Sequence, residues 1–266
     1  MGLDRRQAIR TAAALAVGTA GAAGCDAGGP AGTTAGTAGG TPSATRSGGA
    51  SAAPPGSAPP LPGGALPAEV VHGPRDQPKV ALTFHGQGDP ALIRSLLTVL
   101  ADGGVRVTVL AVGTWLAANP QLARLVLSGG HELGNHTQNH LAINRLSQAR
   151  AHAEISTCAQ ALRSLTGSIG AWFRPSQTPH ASAQVRALAT RVGYPTCLSY
   201  DVDSLDYTDP PADTVVRETL KGVQPGSIVS MHFGHQATIT AMPRVLSGLR
   251  SRGLRAVTVT ELIGAR

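Results

Sequence analysis

The chain has 266 residues, 42% hydrophobic and 14% charged, with 22 Lys and Arg against 15 Asp and Glu and a formal charge of +7. This is globular composition with a basic tilt; aromatics at 3% and no dense basic stripe argue against a nucleic-acid partner. The 33 Gly and 19 Pro are many for one compact domain, and they concentrate near the N-terminus.

Residues 1 to 25 read as an export signal. Arg5 and Arg6 form a twin-arginine pair, a small and apolar run follows from Thr11 to Gly24, and the segment closes on Ala22-Ala23-Gly24-Cys25. The run is too short for a spanning helix, which takes about 20 apolar residues. Its ending resembles a bacterial lipobox, which implies cleavage before Cys25 and a lipid on its thiol. The expected location is the membrane surface facing the cell wall, or secretion. Residues 26 to 68 are almost wholly Gly, Ala, Ser, Thr and Pro; with so few large apolar side chains they are expected to form a disordered tether.

Residues 69 to 266 fit one domain by size. Strands are expected over Lys79 to Phe84, Val105 to Val112, His131 to Gly134, Ala171 to Arg174, Thr196 to Val202, Ser227 to His232 and Arg255 to Val259. Helices are expected over Pro90 to Asp102, Thr114 to Ser128, Ser147 to Leu165, Ser182 to Val192, Ala212 to Lys221 and Gln236 to Arg252, several closed by glycines such as Gly103, Gly167 and Gly193. The alternation implies an α/β fold with a parallel sheet, either a closed barrel or an open doubly wound sheet. No glycine-rich phosphate fingerprint follows the first strand, so no nucleotide cofactor is expected.

Parallel architectures bind ligands at the carboxyl ends of their strands, and polar residues collect there. His85 and Asp89 follow the first strand, His136 and His140 the third, Arg174 the fourth, Asp203 and Asp206 the fifth, and His232 the sixth. His136 and His140, four apart, share a face if they lie on a helical turn, which is half of a zinc site. Each residue has a plainer use: Asp89 before Pro90 is an ordinary helix start, and Asp203 and Asp206 suit a cap and a turn. Their coincidence at one sheet edge points to chemistry.

These segments resemble the polysaccharide deacetylases, the NodB homology domain of carbohydrate esterase family 4, over nearly all of Val80 to Val259. His131-Glu132-Leu133-Gly134-Asn135-His136-Thr137-Gln138-Asn139-His140 looks like the family's metal-binding second motif. Phe173-Arg174-Pro175 resembles the third, Asp203-Ser204-Leu205-Asp206-Tyr207 the fourth, and Ser230-Met231-His232 the fifth. The resemblance implies a distorted (β/α) barrel of about seven parallel strands and a divalent metal, with Zn2+ the first choice. It implies hydrolysis of N-acetyl groups on an N-acetylglucosamine-containing glycan, peptidoglycan or chitin-like.

The first motif departs from the family. Thr-Phe is usually followed by Asp-Asp-Gly, the first Asp serving as general base and the second as third metal ligand. Here His85 holds the base position and Gly86 the ligand position, and Ser176-Gln177 replaces the usual proline and aromatic of the third motif. Three outcomes are open. Asp89 reaches back to complete a site with His136 and His140 while His85 acts as base; or His85 ligates the metal and another carboxylate is the base; or the site is incomplete and the domain binds cell-wall glycan without cutting it. If the protein is active, the resemblance makes His232 the general acid, with Asp203 or Asp206 orienting it or pairing with Arg174, and a backbone N-H near Ser176 or Gln177 holding the oxyanion. Cys158 and Cys197 are expected either to pair in the oxidising compartment or to remain two buried thiols.

Overall fold

The structure, a computed structural model, describes residues 66–264. The export signal, Cys25 and the tether up to residue 65 lie outside the described residues. The order of elements is β1 (Glu69–Val70), β2 (Lys79–Gly86), α1 (Pro90–Asp102), β3 (Thr108–Ala111), α2 (Gly113–Ala118), α3 (Pro120–Ser128), β4 (Glu132–Asn135), α4 (Gln148–Thr166), α5 (Ala183–Val192), β5 (Cys197–Leu198), β6 (Val202–Asp203), α6 (Ala212–Gly222), β7 (Ile228–His232), α7 (Gln236–Ser251), β8 (Arg255–Val257) and α8 (Val259–Ile263). Short 3-10 turns lie at Ile143–Arg145 and Asp206–Thr208.

β2 is the hub, because Val80, Ala81, Leu82 and Phe84 are fully buried and the strand is covered on both faces. It pairs in parallel with β3 through Thr83 to Gly86, with β7 through Ala81 to His85 and with β8 through Lys79 to Ala81. β3 continues to β4, and β7 to β6. Phe173 closes the ring with single parallel bridges to Asn135, the last residue of β4, and to Cys197, the first of β5. The result is the distorted barrel, with helices outside it. α1 shows why they pack: Ile93, Leu96, Leu97 and Leu100 fall three or four apart and are its buried face.

Several expected elements are shorter or broken. The single helix expected over 114–128 is two, because Pro120 cannot continue α2 and instead opens α3. The strand expected at 171–174 contributes only its bridges at Phe173, and the one expected over 196–202 bends between β5 and β6. The last strand stops early because the Thr258 hydroxyl caps α8 by accepting from the Glu261 N–H.

Cys158 and Cys197 do not form a bridge; both are free and buried. Cys158 packs in the main core with Leu162 and Val126, whereas Cys197 packs with Phe173 and Tyr194 in a separate cluster. Burial pushes both thiols up to about 12, so they are inert packing residues.

Candidate active site

The parallel register brings His85, near the end of β2, opposite His232, the last residue of β7. Their rings lie 4.3 Å apart, centre to centre. His136 leaves β4 with its N–H on the Ala111 carbonyl, and its ring sits 4.2 Å from His85 and 4.9 Å from His140. One ring nitrogen from each of His85, His136 and His140 can be chosen so that all three lie within 4.8 Å of one another.

The chemistry of these nitrogens is that of metal ligands. His136 Nδ1 lies 3.0 Å from the Arg174 carbonyl, and as donor there it leaves the Nε2 lone pair free. The Nε2 atoms of both His85 and His136 are buried without a hydrogen-bond partner. Burial, followed by the positive charge of neighbouring histidines, lowers the pKa of His85 and His136 well below 6.5 and that of His140 below it. Neutral imidazole is the form that binds a cation.

His136 and His140 sit in a clamped loop rather than on a helical turn. Thr137 and His140 have φ of 69° and 54°, left-handed values that cost energy unless the surroundings impose them. Here they do. The Asn135 carboxamide accepts from the Thr137 N–H, and the backbone carbonyls of Thr137 and Gln138 accept from the N–H groups of Gly113 and Thr114. The buried Glu154 carboxylate accepts from the backbone and side-chain N–H groups of Asn139, while Gln177 Nε2 donates to the His140 carbonyl. Asn135 falls within the second motif without a role assigned to it there, and Glu154 lies in no motif; its only trace was a lone carboxylate in the apolar stripe of α4.

Asp89 is elsewhere. It is the N-cap of α1, its Oδ1 accepting from Ala91 N at 2.7 Å and Leu92 N at 3.3 Å, and it is exposed and outside the cluster of donors. Gly86 could not supply a ligand either: a Cβ there would meet Val109 Cγ1 at 2.8 Å and Ala111 Cα at 3.0 Å. The third donor that the structure gathers is His85.

The two aspartates of the fourth motif divide their tasks. Asp206 is fully buried; its Oδ1 lies 2.7 Å from His232 Nδ1, and its Oδ2 accepts from the His232 N–H at 2.8 Å and from Thr238 Oγ1 at 2.7 Å. Burial alone would push this carboxyl up, but these hydrogen bonds and the His232 charge outweigh it and hold the pKa low. Asp203 accepts from Leu205 N–H at 3.0 Å and lines the cleft instead. Arg174 is buried beneath, with Nη2 donating to the Ser199 carbonyl at 3.1 Å and Nε and Nη1 unpartnered. Burial brings its pKa down to about 10, against the pull of Tyr200 and Asp203. Above these groups opens a cleft of about 440 Å³ whose walls include His85, His140, Tyr200, Asp203, Tyr207 and His232.

A family model described as polysaccharide deacetylase matches residues 72–197. The peptidoglycan-N-acetylglucosamine deacetylase of Bacillus cereus is 30% identical over 194 residues, covering 71% of this chain and 90% of that protein. The chain belongs to the polysaccharide deacetylase family. Among solved structures, a family 4 carbohydrate esterase from Streptomyces lividans in complex with acetate is 30% identical, with a TM-score of 0.63 over 67% of this chain and 91% of that one. A family 4 pseudoenzyme from Bacillus anthracis superposes with a TM-score of 0.71 at 22% identity, over 75% of this chain and 70% of its own; it shares the deacetylase fold.

Proposed function

We propose that the chain is a metal-dependent N-deacetylase that hydrolyses acetyl groups on an N-acetylglucosamine-containing glycan. The observation that carries this is the convergence of His85, His136 and His140 in one cleft with a fourth imidazole, His232, backed by a buried carboxylate. Three neutral imidazoles, two with orphaned buried Nε2 atoms, fit a divalent cation, and a nitrogen-only set suits zinc. When bound, the ion supplies Lewis acidity to the amide carbonyl and the attacking water.

The remaining roles belong to the chain. With His85 used as a ligand, His232 is the cleft group that moves the proton. Asp206 fixes its Nδ1 side, so Nε2 faces the reaction: it takes a proton from water as the C–O bond forms and delivers it to nitrogen as the C–N bond breaks. Acetate and a free amine result. Ser176 Oγ donates to the Leu141 carbonyl and Gln177 to that of His140, so the backbone assigned to the oxyanion is braced against the metal loop. Peptidoglycan is the favoured substrate, supported by the similarity to the peptidoglycan deacetylase of Bacillus cereus and by the resemblance of residues 1 to 25 to an export signal.

A second reading, glycan binding without hydrolysis, draws on one observation: no carboxylate stands among the three donors, and position 86 has no room for one. Acetate release from N-acetylglucosamine oligomers separates the two. Zinc-dependent release that is lost in His136→Ala and His232→Ala supports the enzyme. Oligomer binding with no release by the zinc-loaded protein supports the binder.

A further inference from the structure

A second histidine and aspartate pair stands beside the one already described. Asp209 lies three residues after Asp206 and His235 three after His232, and His235 Nδ1 lies 2.7 Å from Asp209 Oδ1, the same separation as in the inner pair. The rings of His232 and His235 are 6.0 Å apart, and His235 lines the same cleft. We propose that the His235 and Asp209 pair, with Tyr207, binds the sugar next to the one that is deacetylated. This rests on the deacetylase reading of the site.

Stability does not account for the pair. The Asp209 side chain is 71% exposed, and an exposed ion pair returns little. Asp209 also adopts a left-handed φ of 51°, which costs more than such a pair returns. His235 is the N-cap of α7, a position where Ser, Thr, Asp or Asn would bond the free N–H groups, yet its side chain makes no cap bond. The helix start forgoes its cap, and the ring is turned to Asp209 instead.

The geometry suits a sugar. With Nδ1 engaged by Asp209, the ring leaves Nε2 for a sugar hydroxyl, and that atom makes no hydrogen bond among the described residues. Tyr207 is 49% exposed on the cleft wall, its ring edge-on to His232 at 5.2 Å, and offers a flat apolar face for the C–H face of a pyranose. The inner pair is anchored by the buried Asp206 and serves the reaction, whereas the outer pair is held by the exposed Asp209 and serves recognition.

The test measures binding and deacetylation of N-acetylglucosamine, its dimer and its tetramer by the zinc-loaded full chain, the His235→Ala variant and the Asp209→Asn variant. The expected result is that affinity rises from one sugar to two in the parent chain and that this rise shrinks about three- to tenfold in His235→Ala, the value of one hydrogen bond. Asp209→Asn gives a smaller loss, and KM is affected more than kcat. A rise of the same size in parent and variants overturns the inference and leaves the deacetylase reading standing. A parent chain that neither binds nor deacetylates any of the three overturns both.

Discussion

A Cβ on Gly86 would lie 2.8 Å from Val109 Cγ1 and 3.0 Å from the Ala111 backbone, so β3 packs where the family's usual aspartate would project. Restoring that residue is therefore predicted to fail. Gly86→Asp should lower stability by about 1–3 kcal/mol, the usual cost of overpacking, without raising metal content; urea unfolding and elemental analysis check both. At the opposite wall, Asp206→Asn replaces one acceptor oxygen with an N–H donor, which faces either His232 Nδ1 or the His232 N–H and Thr238 hydroxyl. Acetate release should fall about 100-fold or more as His232 loses its orientation, with metal content retained. The residue types at each strand end were legible in the chain, including the two histidines and His232. The choice between His85 and Asp89 was not, because it turns on the space beside residue 86 and on which amides face residue 89.

At the scale of elements, Asp89 belongs to α1. Asp89→Ala should cost about 0.5–2 kcal/mol, the loss of an N-cap, and leave zinc affinity unchanged; unfolding and metal titration on the same variant separate these effects. His131, at the entrance to β4, accepts from the Val107 N–H through Nδ1 at 3.2 Å, and burial, with Arg106 nearby, lowers its pKa from 6.5. The folded value lies below the unfolded one, so this contribution to stability is complete above the unfolded pKa and is lost as pH falls through the folded value. The metal-free domain should weaken on acidification from 6.5, and His131→Ala should show a shallower dependence in urea midpoints measured across that range. Long helices such as α1 and α5 announce themselves by apolar spacing and capping. β5, β6 and the Phe173 bridges do not, because one or two residues carry no periodicity and their pairing is settled by partners distant in sequence.

For the whole molecule, the strand and helix alternation sufficed for a parallel α/β fold, while closure into a ring depends on Phe173 reaching both β4 and β5. That closure places the carboxyl ends of β2, β4 and β7 together and so gathers the imidazoles of residues 85, 136 and 140. These three histidines are proposed to hold the metal. Elemental analysis of the purified chain, dialysed after zinc loading, tests this assignment beside His85→Ala and Asp89→Ala. About one zinc per chain is expected in the parent and in Asp89→Ala, with its loss in His85→Ala. Zinc retained by His85→Ala and lost from Asp89→Ala would contradict it.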